Sequence, residues 1–86
     1  MEVGYHHKFR KALRKLPPKI QDKFFERLEV FLIDPYHPQL NNHPVGSAYP
    51  YWRSINITGD YRALYEITGS ETVMFMKIGT HSQLYR

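Results

Sequence analysis

The sequence predicts an α+β fold in which a helical hairpin packs on one face of an antiparallel sheet, in the order β-α-α-β-β-β. Apolar residues recur at helical spacing as far as residue 32, a loop rich in proline and asparagine covers 36–50, and apolar and polar residues then alternate. A change of period from helical spacing to strict alternation marks a change from helix to strand. With 86 residues the chain is too short to bury two cores, so we expect one domain over residues 1–86.

Two helices are predicted in the first part of the chain. Val3–Tyr5 is a short strand, and a basic helix follows from about His6 to Leu16. Pro17-Pro18 ends this helix and leaves a proline at the start of the next one, where its missing N–H costs little. The second helix runs from about Pro18 to Leu32, and Asp34-Pro35 ends it. Each helix has one apolar face, which predicts a hairpin with a shared buried side.

Three strands are predicted after the loop. They cover Tyr51–Ile57, Tyr61–Ile67 and Thr72–Ile78, with turns at Thr58–Asp60 and Thr68–Glu71. Short turns between consecutive strands produce an antiparallel meander. Because the helices cover one face of this sheet, we expect the other face to be open to a substrate and to carry polar side chains.

Composition restricts the classes of function. The net charge of +4 favours polyanionic partners, although an ordinary basic surface has the same composition. The absence of cysteine excludes disulfides and thiolate metal sites, and the five histidines lack zinc spacing, so no metal or other cofactor is expected. Neither a signal-peptide pattern nor the roughly 20 apolar residues of a membrane span is present. We therefore expect a cytoplasmic protein without membrane contact.

Side chains that are able to cleave RNA without a metal ion surround the predicted meander. In that reaction the ribose 2′-OH attacks phosphorus, a base takes its proton, a cation stabilises the developing charge and an acid protonates the leaving 5′-oxygen. The candidates are His43, Asn56, Asp60, Arg62, His81 and Tyr85. A surface histidine, a turn aspartate, a solvated arginine and a tail aromatic that docks on the core are equally consistent with their spacing. Spacing alone leaves both interpretations open.

Three blocks of sequence follow one another from Leu40 to Tyr85. The first is Leu40–Gly46, with the sequence Leu-Asn-Asn-His-Pro-Val-Gly. The second is Arg53–Tyr65, which contains Thr-Gly-Asp-Tyr-Arg, and the third is Ile78–Tyr85, which contains Gly-Thr-His. In their order, spacing and terminal position the three blocks resemble the RelE/ParE superfamily of type II toxins, and most closely its YafQ-like branch of mRNA interferases. The predicted helical hairpin fits the same superfamily more loosely.

The resemblance implies active-site roles for five of the candidates. His81 becomes the best general acid or base, because an imidazole exchanges a proton near neutral pH. His43 is a second acid–base group, and Asp60 orients a histidine or shares in proton transfer. By the same resemblance Arg62 holds the scissile phosphate, and Tyr85 stacks on a base or shapes the site.

Substrate binding is assigned to Asn56, Arg53 and Tyr61. Asn56 departs from the family, because YafQ-like members often have a histidine at this position. An amide transfers no proton at pH 7, so Asn56 is limited to hydrogen bonding with the substrate. The number of acid–base groups, and with it the rate, is thereby placed in doubt.

The function implied by the resemblance is that of a toxin which cleaves mRNA, often on the ribosome, without a metal. A cognate antitoxin neutralises such toxins, and operator DNA is bound only through the antitoxin. The basic residues of the first helix would then face ribosomal RNA, although a solvated helix face explains them as well. Two alternatives remain: a ParE-like toxin that binds DNA gyrase, and an inactive remnant that binds only an antitoxin or nucleic acid. The acid–base set favours the nuclease, because a gyrase binder needs none.

Overall fold

A computed structural model describes residues 1–85 of the chain. Its elements in chain order are β1 (Glu2–Tyr5), α1 (His7–Arg14), α2 (Pro18–Ile33), a 3₁₀ turn (Pro38–Leu40), β2 (His43–Pro44), β3 (Trp52–Asn56), β4 (Tyr61–Ile67), β5 (Thr72–Thr80) and α3 (His81–Leu84). The predicted α+β class, the two helices and the meander are confirmed. The short elements β2 and α3 are additions to the predicted order. In this described part of the chain no helix has the length and apolar character needed to cross a bilayer.

The five-stranded sheet is mixed, whereas a purely antiparallel sheet was predicted. Its strand order is β1-β5-β4-β3-β2. Strands β2 to β5 pair antiparallel with their neighbours, and β1 pairs in parallel with β5. Parallel neighbours require a long connection, and here both helices and the meander supply it. The first and last strands consequently lie side by side.

An aromatic cluster centred on Phe75 of β5 attaches the helices to the sheet. Its ring centroid lies between 5.4 and 6.0 Å from those of five other rings, namely Tyr5, Phe9, Phe24, Phe31 and Tyr65. The four phenylalanines of the cluster are fully buried. Aromatic pairs at this spacing contribute about 0.5–1.5 kcal/mol each beyond the area that they bury. The aromatic stripe of the helices is therefore part of the core.

A β-bulge in β5 determines which of its side chains face the helices. The register between β4 and β5 leaves Met76 as an extra residue on β5. Strict alternation would put Lys77 on the same face as Phe75. Because of the bulge, Ile78 packs into the core instead, and Lys77 lies exposed on the opposite, open face.

We expect Phe75→Ala to lower the free energy of unfolding by about 3–5 kcal/mol, because five rings lose their common neighbour and a cavity remains. Denaturant unfolding followed by circular dichroism measures this change. Ile33→Ala is the matched control, since Ile33 is 88% exposed and its truncation should change stability by less than about 0.5 kcal/mol. A similar, small effect for both variants would show that the cluster does not hold the core.

Candidate active site

The open face of the sheet, which turns away from α1 and α2, carries several of the candidate residues. Directly paired residues on neighbouring strands point to the same face, so the register defines rows of adjacent side chains. One row contains His43, Ser54, Leu64 and Lys77, and the next contains Asn56, Arg62 and Gly79. The open face thus carries one imidazole, one amide and two cationic side chains.

The short helix α3 folds back onto the open face at the end of β5. It begins with a capping box, in which the Thr80 hydroxyl accepts from the Gln83 N–H at 3.2 Å and Gln83 Oε1 accepts from the Thr80 N–H at 2.9 Å. Gly79 lies directly beneath the helix, because a Cβ there would come 2.8 Å from Gln83 Oε1. The Gly-Thr-His segment therefore allows the close approach, caps the helix and places His81 as its first residue. The Thr-x-x-Gln spacing was the sequence signal for this helix.

The structure brings Asp60, Arg62, His81 and Tyr85 to the same end of the β4–β5 pair. The Asp60 carbonyl accepts from the His81 backbone N–H at 3.0 Å, and Arg62 pairs with Gly79. The ring centroids of His81 and Tyr85 are 4.7 Å apart. Asp60, His81 and Tyr85 are all exposed, so this end of the sheet is open to solvent.

The guanidinium of Arg62 is held over the turn between β3 and β4. Its Nη1 donates to the carbonyls of Thr58, Gly59 and Tyr61 at 3.1–3.2 Å. Within residues 1–85 no protein group accepts from Nε or Nη2. A guanidinium binds phosphate oxygens through a pair of N–H groups, so this second edge of Arg62 is available for such an anion.

Two polar atoms of β3 on the open face are buried without a hydrogen-bond partner among the described residues. They are Ser54 Oγ and Asn56 Oδ1. A buried polar group left without a partner costs about 1–3 kcal/mol. Asn56 Oδ1 is an acceptor, but it is buried in this conformation, so the assignment of Asn56 to substrate binding stays a prediction.

His43 stands at the edge of the sheet, apart from the His81 end. Its Nδ1 lies 2.7 Å from the Asn41 carbonyl oxygen. A carbonyl only accepts, so Nδ1 carries the hydrogen and the neutral ring has its lone pair on Nε2. Three strand spacings, about 14 Å, separate β2 from β5. The structure therefore places the two histidines on opposite sides of Arg62.

Asn42 ties the long loop to the sheet and thereby fixes the position of His43. Its Nδ2 donates to the Pro35 carbonyl at 2.9 Å and to the Tyr65 hydroxyl at 2.7 Å. Its Oδ1 accepts from Arg53 Nε at 2.7 Å. Burial raises the pKa of Tyr65, so this hydroxyl stays protonated within the network at neutral pH.

Arg53 and Tyr61 lie on the helix-covered face, away from Asn56. The Arg53 guanidinium hydrogen-bonds Asn42 and lies over the Tyr36 ring, 5.4 Å from its centroid. Tyr61 packs against the core. Both side chains therefore have structural contacts in this conformation, and their assignment to substrate binding stays a prediction.

Lys77 was not among the predicted candidates, and it lies on the open face next to the row of Arg62. It pairs with Leu64, and its side chain is exposed. The bulge at Met76 brings it to this face, and no feature of the sequence indicates that bulge. An ammonium at this position supplies a second charge for an anionic substrate.

A groove of about 400 Å³ crosses the open face between the loop after β2 and helix α3. Leu64, Lys77 and Trp52 line it from the sheet, Leu84 from α3, Tyr85 from the residue directly after α3, and Tyr49 from the loop. A second cavity, of about 250 Å³, is lined by residues such as Met1, Phe31 and Ile67 and contains none of the candidate residues. The groove therefore adjoins the candidate site at Lys77 and Tyr85, and a third cavity, of about 230 Å³, adjoins it at Asn56.

Small basic toxins are the class of protein that combines this fold with such an open-face cluster, and comparison with known proteins identifies the family. A family model described as the ParE toxin of the type II toxin–antitoxin system, parDE, matches residues 3–85. The chain belongs to this family of toxins. Comparison with curated protein sequences finds no significant match.

Solved structures share the fold at low sequence identity. YafQ from E. coli superposes with a TM-score of 0.78 at 21% identity, over 99% of this chain and 98% of that chain. A YoeB/ParE toxin from Agrobacterium tumefaciens superposes with a TM-score of 0.78 at 14% identity, over 94% of this chain and 99% of that chain. A chain of the RelB–RelE antitoxin–toxin complex from Methanococcus jannaschii superposes with a TM-score of 0.76 at 19% identity, over 96% of this chain and 95% of that chain. The RelE-like fold and the resemblance to the RelE/ParE superfamily are confirmed.

We expect Asn42→Ala to lower the free energy of unfolding by about 2–3 kcal/mol, because the Tyr65 hydroxyl and Arg53 Nε lose their partner. The His43 ring should also lose its fixed position, which its side-chain NMR signals report. Asn41→Gly is the control, since Asn41 has a positive φ of 45° that glycine adopts without strain. Unchanged His43 signals in Asn42→Ala would show that Asn42 does not position this histidine.

Proposed function

We propose that this toxin is an endoribonuclease that cleaves mRNA by attack of the ribose 2′-OH, with its own side chains as acid–base groups. The observation that carries the proposal is the β4–β5 register, which sets Arg62 beside Gly79 and the Asp60 carbonyl 3.0 Å from the His81 N–H. Three residues that carry a guanidinium, a carboxylate and an imidazole thereby lie at one end of the β4–β5 pair. These groups supply the charge stabilisation and proton transfer that the reaction requires.

In this mechanism Arg62 and Lys77 hold the scissile phosphate. They lie on adjacent strands, and Arg62 pairs with Gly79, two residues after Lys77. Negative charge increases on the phosphoryl oxygens during attack, so fixed cations stabilise the transition state more than the ground state. The free edge of Arg62 binds as a fork, and Lys77 adds a point charge.

The two histidines act from opposite sides of that phosphate. Attacking and leaving oxygens lie roughly in line through phosphorus, so base and acid are needed on opposite sides. His43 is the base, because its Nδ1–H is bonded to the Asn41 carbonyl and its Nε2 carries the lone pair. His81 is the acid that protonates the leaving 5′-oxygen.

Asp60 and Tyr85 assist His81. The Asp60 carbonyl accepts from the His81 backbone N–H at 3.0 Å and thereby holds the start of α3 beside β4. The Tyr85 ring, 4.7 Å from the His81 ring, limits the orientations of the imidazole and offers a face to an RNA base.

We expect His81→Ala to slow cleavage of ordinary mRNA by at least about 100-fold, the usual contribution of a general acid. A substrate with sulfur in place of the leaving 5′-oxygen needs no acid, because a thiolate leaves unprotonated. His81→Ala should therefore cleave the sulfur substrate almost as fast as the wild-type protein does. Rates are measured by primer extension or gel analysis on programmed ribosomes. His43→Ala is the matched control, which should stay slow on both substrates; equal defects of His81→Ala on both would contradict its role as the acid.

The proposed mechanism uses no metal ion. Within residues 1–85 no group of three or more histidine, aspartate or glutamate side chains is placed to hold one. We expect protein that is treated with EDTA and then freed of chelator to cleave as fast as untreated protein in the same assay. Loss of activity that added divalent metal restores would contradict this mechanism.

The proposed partner is a cognate antitoxin. The precedent is the RelB–RelE antitoxin–toxin complex, one chain of which has the fold of this protein. Operator DNA would be bound only through that antitoxin, and cleavage would take place on ribosomes in the cytoplasm. A neighbouring gene for a short acidic or DNA-binding protein supports such a pair.

Gyrase binding is the second candidate function, because the matching family model is that of the ParE toxin. The fold is common to both activities and does not separate them. Primer extension on mRNA after induction and a gyrase supercoiling assay distinguish the two. A protein that inhibits gyrase, cuts no mRNA and stays fully toxic as His81→Ala is not the nuclease that we propose.

A further inference from the structure

An aromatic platform in the groove takes no part in the chemistry proposed above. The ring centroids of Trp52 and Tyr49 are 5.2 Å apart, at an interplanar angle of 41°. The Trp52 indole N–H donates to Glu66 Oε2 at 3.1 Å, and the two residues are directly paired across β3 and β4. The carboxylate thereby fixes the orientation of the indole.

We propose that Trp52 and Tyr49 form a stacking site for an unpaired base of the RNA substrate, next to the nucleotide pair that is cleaved. This inference rests on the proposed endoribonuclease function and adds how the same site holds its substrate. Glu66 acts as a positioning residue, because it contacts Trp52 and holds the indole.

The lining of the groove fits a nucleotide. Leu64 and Leu84 offer apolar contact to a flat heterocycle, and Lys77 is the charged residue of the lining. A ligand that matches this lining has a planar apolar part joined to a negative charge. An acyl chain lacks the planar ring, and an acidic peptide lacks a heterocycle that stacks on an indole.

The aromatic platform remains accessible in spite of its internal packing. Tyr49 is 52% exposed, and Trp52 is partly exposed. Aromatic side chains with a free face bind bases of any sequence, because every base has a π-face. The positive net charge of the chain attracts the backbone of the same strand.

The groove is continuous with the candidate catalytic residues. Tyr85 lines the groove, and its ring lies 4.7 Å from that of His81. Lys77 lines the groove as well and lies on the same face as Arg62. An RNA strand whose phosphate contacts Arg62 and Lys77 therefore extends into the groove toward Trp52.

Trp52 is the only tryptophan of the chain, so its fluorescence reports directly on this groove. The full-length protein is titrated with a single-stranded RNA oligonucleotide that carries 2′-O-methyl groups and cannot be cleaved. We expect saturable quenching, and we expect Tyr49→Ala to weaken binding by about 5- to 150-fold, the usual range for one stacked base. Tyr51→Ala is the matched control, because Tyr51 is 65% exposed in the same loop and does not line the groove.

The role of Glu66 is tested with two variants. Glu66→Ala should shift the Trp52 emission and weaken oligonucleotide binding, because the indole loses its acceptor. Glu66→Gln should restore both properties, since an amide oxygen also accepts from the indole N–H. Weak binding in Glu66→Gln with normal Trp52 emission would contradict positioning through the indole.

The outcomes separate this inference from the proposed function. Cleavage of mRNA without quenching by the oligonucleotide, or equal affinities of Tyr49→Ala and Tyr51→Ala, would overturn the stacking site and leave the nuclease in place. Saturable quenching that Tyr49→Ala weakens, in a protein that cuts no mRNA, would support the base site and overturn the nuclease.

Discussion

The pairing of β4 with β5 is the constraint on which both the core and the candidate site depend. On the helix side it holds Phe75 among aromatic rings from β1, α1, α2 and β4. On the open side the same pairing sets Arg62 beside Gly79 and leads the chain into His81. The bulge at Met76 serves both sides, because it allows an apolar residue to enter the core directly after a lysine that faces solvent. The register between β4 and β5 thus determines both the packing of the core and the position of the candidate site.

Elements with a long, regular period were predictable from the sequence. Helix α2 was expected over Pro18–Leu32 and ends one residue later, and β4 has the predicted bounds. Their signals are local: an apolar period, and prolines that start and end helices. The two-residue strand β2 exists only through its pairing with β3, and α3 requires contact across Gly79. Tertiary contacts decide such short elements, so periodicity does not predict them.

The candidate site was predictable in its residue types and less so in its placement. Alternation puts Asn56 and Arg62 on the face of the sheet that turns away from the buried Ile55, as the register shows. The same rule assigns Arg53 to the face of Ile55, so the sequence contained the information that separates it from Asn56. Lys77 is different, since an unpredictable bulge places it. The shared fold does not determine which side chains lie on the open face, because chains of 14–21% identity share the backbone and differ in most side chains. A fold in common therefore does not imply a function in common.

The two outer strands of the sheet differ in their capacity to accept a further strand. β2 has two residues, and one of them is Pro44, which has no N–H to donate. Short edge strands with proline resist edge-to-edge association. β1 is four residues long, contains no proline and forms the opposite edge. The β1 edge therefore has the greater capacity to pair with a further strand, and the β2 edge near His43 is protected from edge-to-edge pairing.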